Sequence, residues 1–246
     1  MNIQSFGVSD IGRVRKENQD SSGYFPEAKL FVVADGMGGH RGGKQASEMA
    51  IAAVAECARA WNEETTFEAA LASLLDAVTQ ANQQIRERAA CEPELTRMGT
   101  TFVGLLFDGS DGGAVIHVGD SRAYRLRDGE LELLTSDHTI VNDLLRNKDI
   151  SEAEAKAHPY RHVLTRALGV ERDVQPDVQK VDVRAGDVYV ICSDGISGML
   201  PAAEIREAAL AHQHDPNALC QRLVEAANHA GGKDNATAIA IRCSPD

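Results

Sequence analysis

The stretch TTFVGLLFDGSDGGAVIHVGDSRAYRLRDGELELL, residues 100–134, decides the fold class. Four runs within it have the apolar or alternating pattern of β-strands: 100–107, 114–118, 122–127 and 130–134. The turn-rich DGSDGG separates the first two runs, and Asp128-Gly129, a dipeptide that favours a type I′ turn, separates the last two. The stretch therefore predicts two successive β-hairpins within antiparallel sheet.

Helices are predicted on both sides of these hairpins. Apolar residues recur at helical spacing in four segments: Gly43–Trp61, Phe67–Ile85, Pro201–Ala211 and the segment that begins at Asp215-Pro216. A capping-box pattern at Ser151 predicts a further short helix. Additional strands are predicted at 30–34, 187–192 and 237–242. This element order favours antiparallel sheets with helices packed outside, and a doubly wound parallel sheet is the alternative.

Composition narrows the class of protein. The chain has 246 residues, enough for one well-buried domain, and a hydrophobic content of 43% that is typical of globular proteins. Its 37 acidic and 25 basic residues give a net charge of -12, which argues against binding to nucleic acid or an anionic membrane. The five cysteines include no C-x-x-C pair, and no signal peptide or membrane span is recognisable. We therefore expect a single domain over 1–246, monomeric and cytoplasmic.

Four aspartates lie at predicted strand ends beside glycines: Asp35, Asp120, Asp194 and Asp234. If these strand ends meet at one rim of a sheet, the carboxylates repel each other unless divalent cations neutralise them. A ligand set of oxygens favours Mg²⁺, Mn²⁺ or Ca²⁺ over Zn²⁺. An Asp-Gly pair after one strand is more often a plain turn, so the spacing by itself leaves a metal site and a set of turns equally open.

Eight segments decide between these interpretations, and they span nearly the whole chain. They are RKENQD (15–20), VVADGMGGHRGGKQAS (32–47), MGTT (98–101), HVGDSRAYRLRDGEL (117–131), SDHT (136–139), LTRALG (164–169), ICSDGISG (191–198) and GGKDNATAI (231–239). In this order they resemble the motif series of bacterial PPM (PP2C-like) phosphatases. The resemblance implies an α+β fold, a four-layer α-β-β-α sandwich with two central antiparallel sheets flanked by helix pairs. It also implies a protein-serine/threonine phosphatase that depends on Mn²⁺ or Mg²⁺.

The same resemblance implies a ligand set for the cations. Asp35 is expected to bridge two core ions, with the Gly36 carbonyl as a further ligand. Asp194 and Asp234 are expected to hold the first ion, and Asp120, together with Asp194, a weaker third ion. In this mechanism a water or hydroxide that bridges the two core ions attacks phosphorus directly, without a phosphoenzyme.

Further residues match the family's phosphate-binding and supporting positions. Arg15 matches the arginine that binds the substrate phosphate, a task that suits its planar, bidentate guanidinium. Asp20 is expected to support the site through bound water, and Asn235 is expected to be supportive. Gln19 stands where many members have glutamate, so it supplies a hydrogen bond but no charge, and weaker binding of the second ion is expected.

The resemblance also implies a candidate general acid and a substrate class. Met37 stands where animal members have a histidine proposed as the general acid, and His40 is the candidate substitute. Residues 138–166 resemble the family's mobile flap, which we expect to shape substrate choice. The expected substrates are phosphoserine and phosphothreonine proteins, those of a cognate Ser/Thr kinase.

Two other motifs and one other function fit parts of the sequence. Gly38–Lys44 reads G-x-x-x-x-G-K, but Gln45 stands where a P-loop needs serine or threonine. Gly119–Ala123 loosely resembles a nucleophile elbow, but a strand follows the serine instead of a helix. The alternative function is a non-catalytic, phosphoprotein-binding pseudophosphatase. The presence of Asp35, Asp194 and Asp234 argues against it.

Overall fold

A computed structural model describes residues 1–245 of the protein, with His40 described without its side chain. In chain order its strands are β1 (Asn2–Asp10), β2 (Asp20–Phe25), β3 (Leu30–Met37), β4 (Gly99–Thr100), β5 (Phe102–Phe107), β6 (Gly112–Val118), β7 (Arg122–Arg127), β8 (Glu130–Leu133), β9 (Asp177–Asp182), β10 (Val188–Cys192) and β11 (Ala236–Ser244). Its helices are α1 (Gly39–Arg59), α2 (Phe67–Cys91), α3 (Ile140–Arg146), α4 (Glu152–Ala157), α5 (Asp194–Ser197), α6 (Ala202–Ala211) and α7 (Pro216–His229).

The strands form two antiparallel sheets. One has the order β1-β11-β10-β7-β8, and the other has the order β2-β3-β5-β6-β9 with β4 added beside β3. Each of these neighbouring pairs is antiparallel, so the alternative of a doubly wound parallel sheet is wrong. The last strand, β11, lies inside its sheet between the first strand, β1, and β10.

Three apolar cores separate four layers. Leu74 of α2 and Phe102 of β5 belong to the core between the first helix pair and one sheet. Leu223 of α7 and Val190 of β10 belong to the core under the second helix pair. Tyr189 belongs to the core between the two sheets. Since successive side chains of a strand point to opposite faces, Tyr189 and Val190 bury against different layers. The layers have the predicted α-β-β-α order.

Local signals predicted several elements correctly. Asp128 and Gly129 have positive φ angles of 50° and 82°, as a type I′ turn requires. The Asp215 side chain accepts hydrogen bonds from two backbone N–H groups in the first turn of α7, and Pro216 is the first helical residue. Ser151 forms the predicted capping box at α4.

Other boundaries differ from the prediction for physical reasons. The strands β1, β2 and β9 were not predicted, because their sequences are polar and their residues are largely half-buried or exposed. The first helix begins at Gly39, four residues before the predicted start at Gly43. Asp35 lies within β3 and not at its end, because β3 continues to Met37 and pairs there with β4. No helix within residues 1–245 combines the length and apolar content that crossing a bilayer requires.

Candidate active site

Most of the predicted site residues line one cavity of about 940 Å³. They are Arg15, Gln19, Asp35, Gly36, Asp120, Asp194, Asp234 and Asn235. The antiparallel pairing explains this convergence, because β3, β6 and β10 end where β2, β5 and β11 begin. The fold therefore brings together the carboxylates that the sequence places far apart.

Asp35 and Asp20 lie opposite each other on neighbouring strands. They are register partners of β3 and β2. The Asp35 backbone N–H donates to Thr101 Oγ1 at 2.9 Å, and the Asp35 carbonyl accepts from Thr101 N at 2.9 Å and from Thr100 Oγ1 at 2.9 Å. These bonds fix the backbone of Asp35, so the direction of its side chain is set by the sheet and by the threonine pair.

Asp20 lies behind the cavity in a cage of hydroxyl groups. Its Oδ2 accepts from Ser193 Oγ at 2.8 Å and from Thr237 Oγ1 at 2.6 Å, and the residue is 9% exposed. Asp20 Oδ1 and Asp194 Oδ1 are buried and have no hydrogen-bond partner among the described residues. Buried carboxylate oxygens of this kind are suited to binding a cation or a cation-bound water.

The carboxyl groups perturb one another strongly. Burial first, and then the charges of Asp20, Asp194, Asp120 and Asp234, raise the pKa of Asp35 well above its ordinary value. Burial and then Asp234 raise the pKa of Asp194. Burial, followed by Asp194 and Asp137, raises the pKa of Asp120 to about 7. Such a cluster is costly to ionise at neutral pH without added positive charge, so the oxygen-rich site fits a hard divalent cation.

Arg15 faces these carboxylates from the loop between β1 and β2. Its guanidinium forms an ion pair with Asp234, and it is half-exposed at the cavity. Asn235, next in the chain after Asp234, braces the loop. Its Oδ1 accepts from Gln19 N at 2.8 Å, and its Nδ2 donates to the Ile11 and Glu17 carbonyls, each at 3.0 Å. A single amide side chain therefore fixes the segment that carries Arg15.

Gly36 lies where two backbone segments approach closely. A Cβ atom at this position would lie 2.1 Å from the Gly43 carbonyl oxygen and 2.6 Å from the Gln19 carbonyl oxygen. The Gln19 side chain donates from Nε2 to the Gly39 carbonyl at 2.9 Å. Glycine is thus required at position 36 for the N-terminal part of α1 and the residue before β2 to pack against β3.

Several residues of the site were not singled out from the sequence. Thr101, Ser193 and Thr237 are buried hydroxyl residues that hold Asp35 and Asp20, and nothing in their local sequence distinguishes them from core threonines and serines. Arg161 and His162 line the cavity from within residues 138–166. Burial and then Asp234 raise the pKa of Asp194, and the proximity of His162 is among the weaker effects that oppose this rise. The side chain of His40, the predicted general acid, lies outside the described residues.

The chain matches a known family over most of its length. The model of the family described as protein phosphatase 2C matches residues 12–234. The serine/threonine phosphatase stp of Listeria innocua is 37% identical over 239 residues, covering 95% of this chain and 93% of that protein.

Solved structures of serine/threonine phosphatases also superpose on this chain over nearly its full length. The serine/threonine phosphatase PstP/Ppp of Mycobacterium tuberculosis superposes with a TM-score of 0.88 at 38% identity, covering 99% of both chains. The catalytic domain of PstP in complex with two manganese ions superposes with a TM-score of 0.87 at 36% identity, again over 99% of both chains.

Proposed function

This chain belongs to the protein phosphatase 2C family, and we propose that it hydrolyses phosphoserine and phosphothreonine in proteins by direct attack of water on phosphorus. It is a metal-dependent protein-serine/threonine phosphatase, and manganese is the cation found in a close structural relative. The observation that carries the proposed mechanism is the convergence of Asp35, Asp120, Asp194 and Asp234 on one cavity.

The carboxylates of this cavity would hold the cations. Asp35 would be a ligand of both core ions, with the Gly36 carbonyl as a further ligand; Asp194 and Asp234 would hold the first ion, and Asp120 with Asp194 would hold a weaker third. When bound, divalent cations lower the pKa of water from about 16 toward 7 and neutralise charge on the phosphoryl oxygens. The chain's own contribution is to keep five carboxylates, including Asp20 behind the cavity, in one rigid frame of strands.

Arg15 would bind the phosphoryl group. Its guanidinium can form two parallel hydrogen bonds to phosphate oxygens, a geometry that lysine cannot match. The ion pair with Asp234 keeps the guanidinium directed into the cavity. Because Asn235 fixes both Gln19 and the Arg15 loop, it would maintain the distance between the phosphate-binding and cation-binding groups.

Asp20 would act through water and not as a direct ligand. Two hydroxyl donors fix Oδ2, so Oδ1 is the atom left to accept from a water at the cations. Burial raises the pKa of Asp20 to about 6 against the opposing effect of the two hydroxyl bonds. The cage would therefore keep Asp20 oriented while the cations keep it ionised.

Residues 138–166 would select the substrate within a single phosphatase domain that spans 1–246. They place Arg161 and His162 at the cavity, both exposed, so a phosphoprotein would contact them beside its phosphorylated residue. The substrates would be those of a cognate Ser/Thr kinase. Exchanging this segment for that of a relative should alter the preference among phosphopeptides, and an unchanged preference would argue against the assignment.

The experiment that tests the mechanism compares wild type with Asp35→Asn and Asp76→Asn. Asp76 is exposed on α2, outside the cavity, and makes the same chemical change a control. We expect Mn²⁺-dependent phosphate release from a phosphothreonine peptide by wild type and Asp76→Asn, and none by Asp35→Asn. If folded wild type binds the peptide and Mn²⁺ without releasing phosphate, the non-catalytic alternative is correct.

A further inference from the structure

The segment Ser136–Thr139 lies against the turn that carries Asp120 and holds it on both sides. On one side Asp137 forms two hydrogen bonds with Arg122, from Nε at 2.8 Å and from Nη2 at 2.6 Å. On the other side His138 forms a pair of bonds with Gly119: the His138 backbone N–H donates to the Gly119 carbonyl at 2.9 Å, and the Gly119 N–H donates to His138 Nδ1 at 3.1 Å. Asp120 thus stands between two fixed positions.

His138 also contacts the far end of residues 138–166. Its carbonyl accepts from the Thr165 N–H at 2.8 Å, and its neighbour Thr139 forms an isolated bridge with Leu164. One residue therefore joins the Asp120 turn to the point where the predicted flap returns to the sandwich. The ring is 2% exposed, so this junction is inside the protein and not on its surface.

The bond from Gly119 determines the protonation of the His138 ring. A backbone N–H can only donate, so Nδ1 must offer a lone pair, and in a neutral imidazole the proton is then on Nε2. His138 Nε2 lies 3.3 Å from Asp177 Oδ2, but the contact lacks hydrogen-bond geometry and this buried nitrogen has no other partner among the described residues. The Asp177 carboxylate nevertheless favours a proton at Nε2.

The same reasoning excludes a metal ion at this cluster. His117, His138 and Asp177 offer ligand atoms within 4.8 Å of one another, and the two rings stack with centroids 4.7 Å apart. A metal on His138 Nε2 would require the proton to move to Nδ1. Nδ1–H would then face the Gly119 N–H, donor against donor, so the cluster is better explained by hydrogen bonding than by ligation.

Burial, and after it the neighbouring groups, favour the neutral form of the His138 ring. Burial, then His117 and Arg166, lower the pKa of His138, and Asp177 opposes this effect. Arg166 itself forms an ion pair with Asp177 at 2.6 Å, and His117 Nε2 lies 2.9 Å from the Ser136 carbonyl oxygen and 3.3 Å from the Ser136 nitrogen. The titratable and charged groups that act on the ring are thus His117, Arg166 and Asp177. Together they favour the neutral tautomer in which Nδ1 accepts from the Gly119 N–H.

We propose that His138 is a positioning residue, which holds the Asp120 turn in register with residues 164–166 through its unprotonated Nδ1. The inference rests on the proposed function, in which Asp120 holds a cation. Removal of this acceptor leaves the Gly119 N–H without its partner and frees the turn on one side, so Asp120 loses part of its fixed position. The consequence is weaker cation binding and not a loss of the fold.

Two substitutions separate the acceptor from the rest of the ring. In His138→Asn the amide Oδ1 is attached to Cγ, as Nδ1 is, and can still accept from Gly119. In His138→Gln the polar atoms are one bond further out, near the position of Nε2. Both variants lose the ring and its stacking on His117, so each is the control for the other.

The first measurement uses the wild-type protein with Mn²⁺ removed by chelation. Ring ¹⁵N chemical shifts report the tautomer of His138, and we expect an unprotonated Nδ1 at neutral pH. Amide hydrogen exchange of Gly119 should be slow in wild type and in His138→Asn, and faster in His138→Gln. A wild-type ring protonated at Nδ1, or a rapidly exchanging Gly119 amide, overturns the proposal without any variant having to fold.

The second measurement is Mn²⁺ binding by titration calorimetry. We expect His138→Gln to weaken the affinity of the third, weaker Mn²⁺ about tenfold, as loss of supporting hydrogen bonds around metal ligands commonly does, and His138→Asn to stay near wild type. Equal losses in the two variants, or no loss in either, overturn the proposal. If wild type proves unable to release phosphate, the proposed function fails, while the chelated-protein measurements still decide whether His138 holds Gly119.

Discussion

Substitution of Asp20 should change how the stability of the protein depends on pH. Asp20 is buried, and its pKa in the folded protein is raised from 3.8 to about 6, with burial as the largest cause. A raised pKa means that the folded state binds the proton more tightly than the unfolded chain. In the chelated protein, the stabilising effect of protonated Asp20 is complete below pH 4 and is lost as the pH rises through about 6.

The magnitude follows from the size of the shift. A change from 3.8 to about 6 is about two pKa units, and at about 1.4 kcal/mol per unit the loss is about 3 kcal/mol. His117 and His138 act in the opposite direction, because their lowered pKa values make stability rise with pH below about 6.5. Only the difference between wild type and Asp20→Asn therefore isolates the aspartate.

Urea unfolding followed by circular dichroism measures this difference. We expect the free energy of unfolding of wild type, relative to Asp20→Asn, to fall by about 3 kcal/mol between pH 3 and pH 8 in the presence of chelator. Saturating Mn²⁺ should remove the fall, because cations stabilise the ionised carboxylates. Asp76→Asn is the control and should show no such change relative to wild type. A relative stability that stays constant, or rises, across this range would refute the argument that Asp20 is held in a destabilising environment.

Three further outcomes follow from the site. Arg15→Lys should lower kcat/KM for a phosphothreonine peptide about tenfold, because the substitution removes a charge-assisted hydrogen bond to the phosphate. The control Arg13→Lys, in the same loop, should have little effect. Equal effects of the two substitutions would contradict the role of Arg15 in phosphate binding. Gly36→Ala should lower the free energy of unfolding by about 3 kcal/mol, since its Cβ would lie 2.1 Å from the Gly43 carbonyl oxygen, and a wild-type melting temperature would show that the contact is not tight. If His162 protonates the leaving oxygen, His162→Gln should lower kcat for a phosphoserine peptide about 100-fold. The same variant should hardly affect kcat for p-nitrophenyl phosphate, because the leaving group of that substrate needs no proton. Equal losses with the two substrates would exclude this role for His162.

The fold could be predicted from the sequence where the deciding signals are local. The turn at Asp128-Gly129 and the cap at Asp215 each depend on a few consecutive residues, so the sequence is sufficient. The polar strands β1 and β9 lack such a signal. Within residues 1–245 each lies at the edge of its sheet, β1 beside β11 and β9 beside β6, so little of its surface is buried. Their strand character comes from the neighbouring strands and not from their own residues.

The residues of the candidate site also fall into two groups, those that sequence motifs identified and those that only the fold brings together. The acids Asp35 and Asp194 were recognised because they belong to ordered motifs with unusual glycine neighbours. The hydroxyl cage around Asp20 was not recognised, because its members are far apart in the sequence. Ser193 is separated from Asp20 by 173 positions and Thr237 by 217 positions. The role we infer for His138 was also hidden, since the motif SDHT gives no indication that its ring reaches Gly119.

The position of β11 has a consequence for synthesis of the protein on the ribosome. Residues 234–244 supply Asp234, the bracing Asn235 and the strand that joins β1 to β10. Until these residues have emerged, β1 has no partner in its sheet, and the Arg15 loop lacks its brace. A nascent chain therefore cannot assemble the catalytic centre before β11 is available, and activity should appear only after residues 234–244 have been synthesised and have left the ribosome. Messages truncated before codon 236 should yield inactive chains that quality-control proteases can remove.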